Sequence, residues 1–165
     1  MAKQLITITL VMSELINRVQ NKTNLVGNAL HDPDNPKAAA YMKANDDDDN
    51  MIEVMDSIQF AFAKLKSAVS EYIEDEGATS NNVLLSASDN LTVELSMPSN
   101  FNAASRDAMA MAMHEYIISN AIYRWFKINN RTDVERYEKD AAESMDVLME
   151  AVYSRKQPKR KTVSL

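Results

Sequence analysis

The clearest hydrophobic period lies between residues 51 and 73. Met51, Met55, Ile58, Phe62, Leu65, Val69 and Tyr72 recur at alternating spacings of four and three, with Val54 and Ile73 beside them. This predicts a helix with one apolar seam about three heptads long. Burying each such side chain stabilises by about 1.5–3 kcal/mol, whereas an isolated helix of this length is marginal in water. The seam therefore needs a partner, in this chain or in another. Asn50 and Glu53 have capping-box spacing, and Gly77 with the polar run 79–82 predicts the helix end.

The flanking segments follow other periods. L-I-T-I-T at 5–9 predicts a short strand, and Val11, Met12, Leu15, Ile16 and Val19 then form a helical stripe. That helix can continue to Ala29, although Gly27 weakens it. Residues 31–36 predict a turn, with Asn35 as a cap and Pro36 opening a short helix to about Ala44. At 83–97 the period changes to two, with Leu91, Val93, Leu95 and Met97 alternating with Thr92, Glu94 and Ser96. We expect a β-hairpin turning at Ser88-Asp89-Asn90. A lone hairpin is barely stable, so it must lie on helices, pair with a neighbouring chain, or take the strand at 5–9.

Pro98 stops the strand, and Asn102 can cap a helix over 103–127. Met111, Ile118, Ile122 and Trp125 make one stripe of that helix, and Met109, Met113, Ile117 and Ala121 another. A helix apolar on two faces is packed from several directions. Thr132 and Glu135 have capping-box spacing for a last helix, which buries Val134, Tyr137, Ala141, Met145, Leu148 and Val152. Pro158 prevents further helix and predicts an extended segment. The fold class expected is mainly α: one domain over 1–154, a bundle of about four helices with a β-hairpin at 83–97, and an extended basic tail over 155–165.

Composition sharpens this picture. The 165 residues include two Gly, eleven Met and no Cys. So few glycines exclude most Gly-rich phosphate loops, and the missing cysteine removes disulfides, thiolate nucleophiles and cysteine zinc sites. No run approaches the length of a membrane span, and residues 1–14 read poorly as a signal peptide. We expect a soluble protein of a reducing compartment. All 24 acids precede residue 155, against 13 of the 18 Lys and Arg, so the body carries −11 and residues 155–165 carry +5. Such asymmetry marks an interaction tail.

Candidate chemistry is sparse. His31 and His114 belong to no metal-ligand or catalytic spacing, and no hydrolase or nucleotide-binding motif is present. Asp46 to Asp49 read as a solvated approach to a helix N-terminus, where negative charge is favourable; a cation site would need different spacing. We expect no enzyme, no cofactor and no metal. Met109, Met111 and Met113 suit either core packing or a subunit interface. Arg155, Lys156, Pro158, Lys159, Arg160 and Lys161 suit a solubilising end, a phosphate-binding arm, or an arm that docks in an acidic groove on a protein partner.

The entry M-P-S-N-F-N at 97–102, the long helix bearing Tyr116, Tyr123 and Trp125, and the ending Y-S-R-K-Q-P-K-R-K at 153–161 carry a resemblance. Over about residues 90–161 the chain resembles the head–tail connector (adaptor) proteins of tailed bacteriophages, most closely those of crAss-like and other Bacteroides phages. The resemblance implies a structural virion protein, assembled in the bacterial cytoplasm and placed at the capsid–tail junction. It implies a homo-oligomeric ring, typically dodecameric, beneath the portal protein. Further ring or tail proteins would bind below, and DNA would pass through the channel without sequence-specific contact. It makes Arg155 to Lys161 the portal-docking arm. The ring contacts would then come from the two-faced helix (Met109, Met111, Met113, Ile118, Ile122, Trp125) and the hairpin (Leu91, Val93, Leu95). The acidic N-terminal region departs from that pattern. The alternative from the residues alone is a helical nucleic-acid-binding protein that grips phosphates with its basic tail.

Overall fold

A computed structural model describes residues 3–29, 34, 36–74, 83–128 and 134–157. The chain runs through β1 (Gln4–Val11), α1 (Met12–Ala29), α2 (Pro36–Met42) and α3 (Asp48–Ala68), then β2 (Asn90–Met97), α4 (Arg106–Ile128) and α5 (Val134–Tyr153). Single 3-10 turns occupy Ser70–Tyr72 and Ala103–Ser105. The fold is mainly helical with one antiparallel pair of strands.

The pair is not the hairpin expected at 83–97. β2 pairs with β1, in a register that sets Ile6 against Leu95, Ile8 against Val93 and Leu10 against Leu91. The reason is alternation. β1 supplies buried Ile6, Ile8 and Leu10 on the same face as the buried row of β2. Residues 83–87 do not alternate, and the Gln59 amide clamps them to α3: its Nε2 donates to the Val83 carbonyl at 3.0 Å, and its Oε1 accepts from the Leu85 amide at 3.0 Å. The expected turn is present, with Asp89 N donating to Ser86 O, but it leads the chain into β2 beside β1.

α4 is the most widely contacted element. Met109, Met113, Ile117, Ile118, Ala121, Ile122, Trp125 and Phe126 are all buried on it. α1, α3, α5 and β1 pack around it, so the two stripes read from the sequence are two sides of one core. The Trp125 indole Nε1 donates to the Met42 carbonyl at 2.9 Å, which satisfies both a buried donor and a carbonyl at the end of α2. Only Met111 escapes, at 63% exposure.

Other expectations shift by small amounts. α3 begins at Asp48, with Asp47 at the N-cap position, so Asn50 and Glu53 lie inside the helix and form no capping box. The seam is buried at Val54, Ile58, Ala61 and Leu65, and Met51, Met55 and Phe62 flank it. α3 ends at Ala68, before Gly77, because Ile73 leaves the helix to bridge Leu95 on the outer edge of β2. Val11 closes β1 on its exposed face and contributes no helical stripe. The expected caps at Asn35 and Thr132 lie outside the described residues.

α1 and α2 meet at Gly27. A Cβ there would stand 2.9 Å from the Ala39 carbonyl oxygen and 2.9 Å from Lys43 Cγ. The lysine can move, but the carbonyl is backbone. Gly27→Ala would gain up to about 1 kcal/mol of helix propensity. We expect the clash to exceed that gain, for a net loss of about 1–2 kcal/mol in chemical denaturation; a stabilised variant would refute the close approach. On α4, Ile117→Ala should cost about 2–5 kcal/mol and Met111→Ala under about 0.5 kcal/mol. Equal losses would mean that the burial of α4 is misassigned.

Candidate functional site

The predicted interface residues divide sharply. Leu91, Val93, Leu95, Met109, Met113, Ile118, Ile122 and Trp125 are buried in the core of this chain. Their apolar surface is already covered by α1, α3, α5 and the strand pair, so they are not available to a second subunit. Met111 alone stays on the surface.

The acidic run serves α3. Asp46 accepts from Gln20 Nε2 at 2.8 Å, Asp47 accepts from Asn45 Nδ2 at 2.7 Å, and Asp48 and Asp49 occupy the first helical turn. No group of three or more His, Asp or Glu among the described residues could hold a metal ion. His31 lies outside the described residues. His114 sits on α4 with its Nδ1 buried, lacking a hydrogen bond and 3.8 Å from Glu115 Oε1. No described helix is long and apolar enough to cross a membrane.

The start of the expected tail is fixed to the body. Lys156 N donates to Asn100 O at 2.8 Å, Asn102 N donates to Ser154 O at 3.2 Å, and Arg155 bridges Phe101. The Arg155 guanidinium donates to the Val152 and Ser154 carbonyls at 2.7 and 3.1 Å and to the Tyr72 hydroxyl at 3.3 Å. Arg155 and Lys156 are therefore a latch between the end of α5 and the turn after β2. Pro158, Lys159, Arg160 and Lys161 lie outside the described residues.

Beside the latch is an open cavity of about 770 Å³, between the Tyr72 turn and residues 96–100. Burial raises the Tyr72 phenol, and Glu71 adds to that shift while Arg155 opposes it. Glu71 likewise raises Tyr153, whose ring lies 6.3 Å from that of Tyr72. Opposed acids and cations line this cavity, and they are mostly satisfied by each other: Glu74 accepts from Ser96 and Lys3 and is held below its ordinary value by both.

Two further hollows flank α5, which packs chiefly on α4. Toward α3, Phe60 stacks under Arg124, whose guanidinium carbon is 4.5 Å from the ring centre, with Lys64 at 5.2 Å. Arg124 also bonds Asp56 at 3.0 Å. Toward α1 lies a groove of about 510 Å³ between α1, α4 and α5. Met111 and Val147, 63% and 51% exposed, give it an apolar floor. Glu115, Asp140 and Glu143 rim it. A second hollow of about 380 Å³ extends it past Met111 and His114 toward Leu10. Sequence reasoning missed this groove because each of its walls belongs to a different helix.

Lys22 Nζ meets Glu115 Oε2 across the groove at 2.9 Å. Burial works against the Glu115 charge, but the Lys22 hydrogen bond and charge prevail, with help from His114 and Arg18, so the carboxyl lies below its ordinary value. No protein-family model matches the chain, and no curated protein and no solved structure is significantly similar to it.

A depressed carboxylate stabilises the fold above its unfolded value and loses that contribution as pH falls through its folded value. Lys22→Met should therefore cost about 1 kcal/mol or less at neutral pH, since both side chains are part-exposed. The deficit against the parent chain should shrink in urea melts as pH falls below the ordinary glutamate value. A pH-independent deficit would show that the lysine acts through packing alone.

Proposed function

We propose that the chain is a ring-forming head–tail connector of a tailed-phage particle, a structural protein with no reaction of its own. The supporting observation is the groove beside α5. It combines exposed apolar side chains with an acidic rim, on a helix held chiefly by one neighbour. Such a surface suits another protein segment better than a small substrate, which needs a more enclosed site with convergent polar groups. The resemblance of residues 90–161 supplies the setting, with the ring between portal and tail and DNA passing through its channel. In that setting the acidic body would repel DNA and leave it free to slide.

A second reading has its own support. Lys64, Arg124 and Lys127 gather around Phe60 and Tyr123, a mixture of cations and rings that suits single-stranded nucleic acid. The cations of residues 155–161 would add phosphate contacts. Against it, Glu53 and Glu138 line the same hollow.

The particle mass of the purified chain, alone and with a portal protein from the same phage, separates the two. We expect either a closed ring or stoichiometric addition to the portal, with DNA affinity that is weak at moderate salt. A monomer that ignores the portal and binds DNA, with a log–log salt slope near −0.9 per phosphate neutralised, would replace the connector reading.

A further inference from the structure

We propose that the groove between α1, α4 and α5 receives residues 158–165 of a second copy of this chain, in place of the portal contact that the resemblance implies for that arm. The inference rests on the ring reading only in requiring copies side by side.

The chemistry of the two surfaces matches. The segment reads P-K-R-K-T-V-S-L: three cations, then Val163 and Leu165 two residues apart. The groove offers Asp140 and Glu143 on its rim and Met111 and Val147 on its floor. Among the described residues Glu143 pairs with Lys139 of its own helix, at 3.7 Å with both side chains exposed, a pair that a closer cation can displace. An extended segment places Val163 and Leu165 on one side of the chain, and both can then meet the apolar floor.

The direction in which the chain leaves α5 selects a neighbour over the chain itself. At 100° per residue, Asp140, Glu143, Ser144 and Val147 form one flank of α5, toward α1. Glu138 and Tyr153 lie on the other flank, where Tyr153 meets Tyr72 and the Arg155 latch holds the chain end. Lys159 to Lys161 lie within about 14 Å of Gln157 at full extension. Half the circumference of a helix about 10–12 Å across consumes that reach before the acids are met. A copy placed alongside presents its groove without the detour. The contact joins different surfaces on the two copies; it either closes reciprocally in a two-fold pair or repeats from copy to copy, closing into a ring if the rotation allows.

The test uses the intact chain, a chain ending at Gln157, and the groove variant Asp140→Lys/Glu143→Lys, with a labelled peptide of residues 157–165 as probe. We expect the truncated chain to bind the peptide. Affinity should fall about tenfold or more in the groove variant and weaken with salt. Mixing truncated chain with groove variant should yield a one-to-one pair, since each retains one half of the contact. If the double reversal fails to fold by circular dichroism, Met111→Glu, at an exposed position, replaces it. Equal peptide binding to truncated chain and groove variant would overturn the proposal. So would an intact chain that stays monomeric and whose groove admits peptide only after truncation, because the segment then occupies its own groove. A closed ring that persists after truncation refutes this contact and leaves the connector reading standing. Open oligomers that vanish on truncation do the reverse.

Discussion

Everything in this molecule answers to the apolar circumference of α4. Eleven of its 23 residues are buried, on more than one side, so the helix is stable only when packed from several directions. α1 and α3 cover two sides, the β1–β2 ribbon a third and α5 a fourth. Each covering element is amphipathic and turns its polar side outward. The ribbon shows the dependence most directly. Two strands alone would be marginal, but with Ile6, Ile8, Leu10, Leu91, Val93 and Leu95 turned toward the helices they form a wall of one continuous core.

Much of this was legible because period is a local property. The four-and-three spacing of α3, the double stripe of α4 and the alternation of β2 are visible in windows of ten to twenty residues. The partner of β2 was legible only as one option among several, the strand at 5–9, since nothing local ties residue 93 to residue 8. The helix ends also moved, because tertiary bonds decided them. Ile73 left α3 for Leu95, and Arg155 left the tail for the Tyr72 hydroxyl. A stripe likewise names a face without saying what covers it. Met111 and Ile118 share a stripe, yet one is exposed and the other fully buried, because α1 and α5 part above Met111.

Charge follows a different logic from packing. The acids of the body form no group among the described residues that could hold a metal ion. They occupy the first turn of α3, pair across helices at Lys22–Glu115 and Arg124–Asp56, and rim the groove at α5. The latch at Asn100–Lys156 marks where the acidic, packed part of the chain hands over to the basic segment.

The pairing of β1 with β2 also has a cost in time. Gln4 has Met97 as its partner, so the strand made first waits until more than 90 further residues have been synthesised. At about 5–20 residues per second that interval is roughly 5–20 s. During it, an eight-residue run with three large apolar side chains on one face leaves the ribosome with no strand to join. Until β2 is made, β1 is thus a stretch of nascent chain open to pairing with another copy emerging nearby.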